Sequence, residues 1–333
     1  MTTDAGTVQR VAGTSALRVP PIMFGAWAIG GWWWGGTDDF KAIEAIHKAE
    51  DIGMNCFDTA PQYGFGHSEE VLGKALKGKR PNAIIATKCG LRHDRTDGEH
   101  FFDTRDNNNR KISVYKVSKK DSVIEECEQS LKRLQTDYID IYQIHWPDST
   151  TPFSETMEAL VRLYEQGKIR AIGVSNFTRP MIEECLRHGP VHTIQPLYNP
   201  LARDIEHEIL PLCVDKEIGI LAYSPLEHGL LSGKVTMDRT FPEGDERKNL
   251  KWFQPEQRKK VLNVLERIEP IAREHNATIA QIILAWVISR TGITAAIAGA
   301  RDSKQVEENW RAVTINLSDE EARVITGEFE SIT

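Results

Sequence analysis

A chain of 333 residues can form one large α/β barrel or two medium domains, and a 40% hydrophobic content supplies its core without disulfide or metal staples. A charged fraction of 27%, with 24 Gly and 15 Pro, excludes collagen-like and largely disordered chains. The net charge of −7 argues against wrapping a nucleic-acid backbone, which calls for a basic stripe. Cys56, Cys89, Cys127, Cys185 and Cys213 are odd in number, widely spaced and never in a C-x-x-C pair, so a reducing cytoplasm fits better than a disulfide or zinc framework. The start, MTTDAGTVQR, lacks the apolar core of a signal peptide, and residues 1 to about 13 are expected to be flexible. The longest apolar stretch, residues 279–288, falls far short of the roughly 18 that a membrane span needs.

Short β-branched runs alternate with amphipathic helical segments, the signature of parallel strands joined by crossover helices. In chain order, strands are expected at residues 21–25, 55–58, 83–87, 138–144, 169–174, 193–195, 219–223 and 295–297. Capping boxes predict helix starts at Ser118 with Asp121, Thr278 with Gln281, Asp302 with Gln305, and Ser318 with Glu321. After Ser118, Ile124, Cys127, Leu131 and Leu134 fall on one helical stripe. Eight βα units without a Pro-, Gly- or Ser-rich linker favour a closed (β/α)8 TIM barrel with extra helices, one domain over residues 1–333. Residues 30–37, 89–117 and 224 to about 255 are too long for simple turns, and in a barrel they rise from the C-terminal face, where active sites lie.

The strand ends carry the candidate chemistry. Asp58 closes the second strand with Tyr63 five residues on, Lys88 ends the third, and His145 ends the fourth, followed by Trp146-Pro-Asp148. A buried Lys is costly unless paired, so Asp58 beside Lys88 is a sensible couple that would draw Tyr63 and His145 into one polar pocket. Taken singly, each has a plainer reading as salt bridge, cap or half-buried turn residue; four at three successive strand ends are harder to dismiss. Gly64-Phe-Gly66-His-Ser-Glu69 imitates a dinucleotide fingerprint, but Glu69 would repel a pyrophosphate. The phosphate-loop, hydrolase-elbow and H-E-x-x-H patterns are absent. His93-Asp94 and His100-Phe-Phe-Asp103 are read as solvated side chains in a polar loop rather than as metal ligands, so no metal is expected.

Phe57-Asp-Thr-Ala-Pro-Gln-Tyr-Gly64, Lys88, Ile144-His-Trp-Pro-Asp148, Gly173-Val-Ser-Asn-Phe177, Gln195-Pro-Leu-Tyr-Asn-Pro200, Ala222-Tyr-Ser-Pro-Leu226 and Ala298-Gly-Ala-Arg301 through Asn309 together resemble the aldo-keto reductase family, most closely its bacterial branch with a G-A-R cofactor motif. The resemblance implies a barrel that reduces small carbonyl substrates to alcohols with NADPH and no metal. It makes Tyr63 the proton donor, with Lys88 stabilising its phenolate and bringing its pKa toward the working range, Asp58 fixing Lys88, and His145 orienting the carbonyl. It puts Ser175, Asn176 and Gln195 on the nicotinamide carboxamide and Tyr223 under the ring, and Ser224, Leu226, Leu230 and Ser232 along the pyrophosphate. Trp27, Lys234, Glu308 and Asn309 join the cofactor set. Plainer readings remain: Asn176 as a turn cap, Tyr223 as a core aromatic.

The sequence departs from the commoner family pattern where a Lys and an Arg would align with Gly299 and Gln305. The 2′-phosphate of NADPH would then rely on Arg301, with Lys304, Gln305 and Asn309 helping and Asp302 opposing. Gly30-Gly-Trp32-Trp33-Trp34-Gly-Gly36 has the spacing of neither a helix nor a strand core; Trp32, Trp33 and Trp34, with Trp146, are expected to cover the substrate, the alternative being a plug at the barrel rim or a subunit contact. A family branch of potassium-channel β subunits supplies the alternative function, a cofactor-binding regulatory or redox-sensing subunit. Oligomeric state is left open.

Overall fold

The structure is a computed structural model describing residues 8–31, 38–241 and 245–333. Eight parallel strands close into a barrel: β3 (Ile22–Gly25), β4 (Cys56–Asp58), β5 (Ile84–Cys89), β9 (Ile139–Ile144), β10 (Ile169–Ser175), β11 (Thr193–Gln195), β12 (Gly219–Ala222) and β13 (Ile293–Gly299), each paired with the next and β13 with β3. The remaining strands are a hairpin before the barrel, β1 (Arg10–Val11) and β2 (Arg18–Val19), and an excursion after β5, comprising β6 (Leu91–Arg92), β7 (Glu99–Arg105) and β8 (Lys111–Lys116). Helices α1 (Asp39–Asp51), α2 (His67–Ala75), α3 (Lys120–Leu134), α4 (Phe153–Glu165), α5 (Arg179–Leu186), α6 (Ile209–Asp215), α8 (Ile279–Ser289) and α9 (Ser303–Trp310) follow successive barrel strands, with α7 (Pro255–Glu274) and α10 (Asp319–Glu330) as additions.

Strand parity positions the site. Met23, Cys56, Ala86, Ile141, Ala171, Leu221 and Ala295 form one apolar cluster inside the barrel, while Phe24, Phe57, Ile85, Tyr142, Ile172 and Ile220 belong to the larger core beneath the helices. Side chains alternate along a strand, so two residues beyond Cys56 and Ala86 the chain turns Asp58 and Lys88 into the interior, just above that apolar layer. Lys88 falls inside β5, which runs two residues past its expected end. The eighth strand is longer at both ends than expected, because packing overrides the weak strand preference of its Ala-Ala-Ile-Ala-Gly run.

The expectation of a flexible start to about residue 13 fails at residues 10–12, while residues 1–7 lie outside the described residues. Arg10 pairs with Val19 and Val11 with Arg18, and Ala12 and Val19, both fully buried, join the cluster inside the barrel, which repays the ordering of the hairpin. The 89–117 segment is likewise a three-stranded antiparallel sheet rather than a structureless loop. Its root is fixed by buried Arg92, bonded to Asp94, Ser122 and Glu125, and by Glu126, which accepts from the Gly90 amide. The Asn-rich tip at 107–109 between two alternating runs is the hairpin signal that could have found it.

Thr278 and Ser318 form both halves of their capping boxes. Asp302 accepts from the Gln305 amide at 2.8 Å, but the Gln305 side chain accepts from Arg301 N instead of returning to the cap. The Ser118 box does not form. Asp148 takes the Ser118 N–H and Thr156 its carbonyl, so α3 starts at Lys120, one residue later than a Ser118 cap would place it, and Glu155, on α4, accepts from Lys120 N in place of a local cap.

Candidate active site

The Lys88 ammonium donates to three oxygens at once: Asp58 Oδ1 at 2.8 Å, the Thr59 carbonyl at 2.9 Å and Tyr63 Oη at 3.1 Å. The Lys88 and Asp58 side chains are only 1% and 3% exposed, so neither charge is tolerable without the other. Gln195 Nε2 donates to the second oxygen of Asp58 at 2.7 Å, a link across the barrel that the sequence reading missed. The Lys88 ammonium is held protonated: burial works to lower its pKa, but Asp58 and Tyr63 outweigh burial and the net direction is up.

Tyr63 is half-buried. The indole of Trp27 stacks on it at 6.1 Å, and the His145 ring meets it edge-on at 6.1 Å. Burial raises its pKa, Lys88 lowers it and Asp58 raises it, with a net rise above the ordinary phenol value. This corrects the expectation that Lys88 would bring it toward the working range, because burial outweighs the Lys88 charge. Lys88 is donor-only, so Tyr63 Oη accepts from it and keeps its own proton for another acceptor. Burial, and then the Lys88 charge, hold His145 far below the usual histidine range, so its imidazole is neutral at pH 7.

The cofactor candidates divide into three groups. Ser175 Oγ donates to the Gln195 carbonyl at 2.7 Å, Asn176 Nδ2 to the His145 carbonyl at 3.0 Å, and Tyr223 Oη to Asn176 Oδ1 at 2.9 Å. Asn176 sits at φ 62° and ties His145, Ser175 and Tyr223 together, while Gln195 keeps its Oε1 as an acceptor. Ser224, Glu227 and His228 also adopt left-handed backbone, and Asn199 pins that turn by donating to the Ser224 carbonyl and to the buried Glu227. His228, unnoticed in the sequence, packs edge-on to Trp27 at 5.7 Å; burial holds its pKa down at about 4. Leu226 is half-buried, Leu230 is wholly buried in the core with only its backbone left to serve a pyrophosphate, and Ser232 donates to Gly229.

Beyond β13, Arg301 is exposed. Its pKa is lowered by burial of part of its guanidinium and by the neighbouring Arg247 and Arg239, with Asp245 and Asp302 opposing. Asp245 makes a bidentate pair with Arg247. Lys234 pairs with Glu308 at 2.7 Å, and Asn309 donates to the Gly299 carbonyl at 3.1 Å. Trp146 lies against Phe101 of the excursion at 5.2 Å, whereas Trp32, Trp33 and Trp34 lie outside the described residues. His100 bonds Asp103 and His93 packs on Phe65; among the described residues no three His, Cys, Asp or Glu are grouped to hold a metal.

The family model described as "Aldo/keto reductase family" matches residues 21–327. The chain belongs to the aldo/keto reductase family. Aldo-keto reductases are oxidoreductases that use nicotinamide cofactors on small carbonyl substrates. The chain is similar to the aldo-keto reductase YhdN of Bacillus subtilis, 40% identical over 314 residues, which cover 93% of this chain and 90% of the relative. It is also 40% identical over 319 residues to the NADH-specific methylglyoxal reductase of Escherichia coli, covering 94% of this chain and 95% of that protein. Among solved structures it resembles a glycerol dehydrogenase from Gluconobacter oxydans, with a TM-score of 0.87, 37% identity, and 99% and 97% of the two chains covered. An aldo/keto reductase from Klebsiella pneumoniae solved with NADP and acetate superposes with a TM-score of 0.71 at 29% identity, covering 95% of this chain and 93% of that one. Among the described residues no helix is long and apolar enough to cross a membrane.

Proposed function

We propose that the chain is a single-domain, metal-free reductase of aldehydes and ketones that prefers NADPH and uses Tyr63 as its general acid. The observation that carries this reading is the three-way donation from buried Lys88, which leaves the Tyr63 proton directed away from Lys88 and the neutral His145 beside it. A reduced nicotinamide, when bound, supplies the hydride. The carbonyl oxygen accepts the proton of Tyr63 Oη as its C=O bond becomes an alcohol. An alkoxide is a stronger base than a phenolate, so a phenol with a raised pKa still donates, and Lys88 Nζ stabilises the oxygen it leaves behind. Asp58, held by Lys88 and Gln195, keeps the ammonium in place. Neutral His145 donates a hydrogen bond to the carbonyl and orients it.

The residues present fit such a cofactor. Gln195 Oε1 is an acceptor for a carboxamide N–H, and Arg301, with Arg239 and Arg247 near it and Asp245 and Asp302 in part offsetting them, offers a guanidinium for a phosphate. Ser175, Asn176 and Tyr223 would hold the nicotinamide, and Ser224, Leu226, Ser232 and the Leu230 backbone the pyrophosphate. Arg301 would grip the 2′-phosphate, with Gln305 and Asn309 shaping its loop. Trp27, Trp146 and Phe101 give the substrate side an aromatic lining that suits apolar or aromatic carbonyls. Five free, buried thiols are in keeping with a reducing compartment such as the cytoplasm.

The test is multiple-turnover oxidation of NADPH, and separately NADH, against a panel of aldehydes, ketones and sugars with wild type and Tyr63→Phe. Wild type is expected to turn over many times and the variant to lose at least about a hundredfold. A wild type that binds NADPH tightly and releases it without turnover would favour the alternative, a redox-sensing subunit.

A further inference from the structure

The turn that leads away from Tyr63 is strained. Gly64, Phe65 and Gly66 occupy three successive left-handed conformations, at φ 65°, 57° and 97°. Glycine adopts this backbone readily, but a phenylalanine there is an outlier that persists only where its surroundings over-determine it. Several contacts do so, among them the His67 amide, which donates to the Gly64 carbonyl at 3.3 Å, and the Ser68 amide, which donates to the Tyr63 carbonyl at 3.2 Å. The backbone of Gly30 presses on the turn so closely that a Cβ on Gly30 would lie 2.5 Å from Tyr63 C, and one on Gly64 would lie 2.1 Å from Gly30 O. The Phe65 ring meets His93 edge to face at 5.2 Å. Asn107 Nδ2, from the tip of the β7–β8 hairpin, donates to the Gly64 carbonyl at 3.0 Å.

That tip is itself stiff. Asp106 Oδ1 accepts from the amides of Asn108 and Arg110, both at 2.9 Å, and Oδ2 from the Arg110 guanidinium. With His93 and Ile112 it encloses a pocket of about 330 Å³ against Gly64 and Phe65, so the hairpin bears on the turn without filling the space beside it. Asn107 is therefore the hydrogen-bonded tether between the excursion sheet and the residue that follows Tyr63.

We propose that Asn107 is a positioning residue for carbonyl reduction, holding the Gly64 carbonyl so that the strained turn keeps Tyr63 Oη against Lys88 Nζ. The inference rests on the reading of Tyr63 as the general acid. Without the tether, the Gly64 carbonyl keeps the longer bond from the His67 amide but loses the shorter one, and the strained 64–65 peptide gains freedom to rotate one residue from the acid. A misplacement of about 1 Å at a reacting group costs on the order of a hundredfold in rate, so a partial loosening costs less. Loosening also weakens the pull of Lys88 on the phenol, so the tyrosinate needed for alcohol oxidation forms at higher pH.

Asn107→Asp keeps the shape and removes the donor, and Asn107→Ala removes both; the site is an exposed hairpin tip, so unchanged thermal melting is expected. With benzaldehyde and NADPH, both variants should lose about 5–20-fold in kcat, while NADPH binding followed by fluorescence stays within about twofold. With benzyl alcohol and NADP+, the alkaline rise in rate should move up by about half a pH unit. In a Phe65→Gly background, where the turn is no longer strained, Asn107→Ala should cost under about twofold. A kcat within about twofold of wild type for both Asn107 variants overturns the inference, as does an equal loss in the Phe65→Gly background with an unmoved pH profile. Tyr63→Phe runs alongside. If it keeps turnover, the general-acid reading and this inference fall together; if it is inactive while the Asn107 variants are unchanged, only the inference falls.

Discussion

At the barrel mouth, buried Lys88 directs its ammonium at three protein oxygens and Asp58 has a donor on each carboxylate oxygen, whereas beyond the last strand Arg301 lies exposed within the field of two other arginines. The first region is satisfied by the protein itself and is rigid for that reason. The second is a solvent-open set of mixed charges, Arg239, Arg247 and Arg301 against Asp245 and Asp302, whose long side chains can rearrange around an anion. The contrast separates what must stand in fixed geometry before any ligand arrives from what gains its stability by binding one. A proton donor needs placement to a fraction of an ångström, while phosphate recognition tolerates adjustment of long side chains.

The largest effect should come from breaking the satisfied region. Tyr63→Phe should lower turnover by about 10²–10⁴-fold while leaving cofactor affinity nearly intact, since the ring remains stacked on Trp27. A variant that kept more than about a tenth of wild-type turnover would contradict the role of the phenol. Asp58→Asn should act on the fold instead, because Lys88 then loses its counter-charge in an interior site. Removing one member of a buried pair typically costs about 3–5 kcal/mol, which urea denaturation would register. Arg301→Ala should cost little stability by comparison, since its side chain is exposed and its charge interactions are screened by solvent, and the two variants side by side measure how differently the regions are built.

Much of this was legible in the residues. The places of Asp58 and Lys88 at successive strand ends, with the cost of burying a lone charge, carry their pairing, and the alternation of strand and helix segments carries the barrel. What stayed hidden depends on contacts between distant segments. Gln195 reaches Asp58 across 137 residues, Asn107 reaches Gly64 across 43, and neither spacing leaves a trace in a local window. Ser118 failed as a cap for the same reason: Asp148 and Thr156 claimed its backbone from elsewhere in the fold. The rise in the Tyr63 pKa followed from burial, which the motif alone does not express.

A smaller effect should appear at the solvent-open end. Arg301→Ala is expected to weaken NADPH by about 1.5–3 kcal/mol, the range for a hydrogen bond to a charged group, and barely to change NADH. Dissociation constants of both cofactors, in wild type and variant, decide it. The similarity to a methylglyoxal reductase described as NADH-specific sharpens the comparison, because neither Gly299 nor Gln305 adds a positive charge to that of Arg301. Equal losses for both cofactors, or a wild type that binds NADH as tightly as NADPH, would remove Arg301 from phosphate recognition.

The smallest effect is one of ionic strength, and it distinguishes the two regions without a mutation. Exposed charges interact through solvent, and the screening length falls from about 10 Å at 0.1 M salt to about 3 Å at 1 M. On the proposed reading the 2′-phosphate would add negative charge beside Arg239, Arg247 and Arg301, so its attraction should weaken as salt rises. The Asp58–Lys88 pair, at 3% and 1% side-chain exposure, is shielded from ions and should not respond. Raising salt from about 0.05 to 0.5 M is therefore expected to weaken NADPH several-fold more than NADH, with kcat at saturating cofactor unchanged. A parallel decline for the two cofactors would mean that the arginines neutralise the shared pyrophosphate or pair with their own carboxylates. A fall in kcat would mean that solvent ions reach the barrel mouth, which the burial of Lys88 forbids.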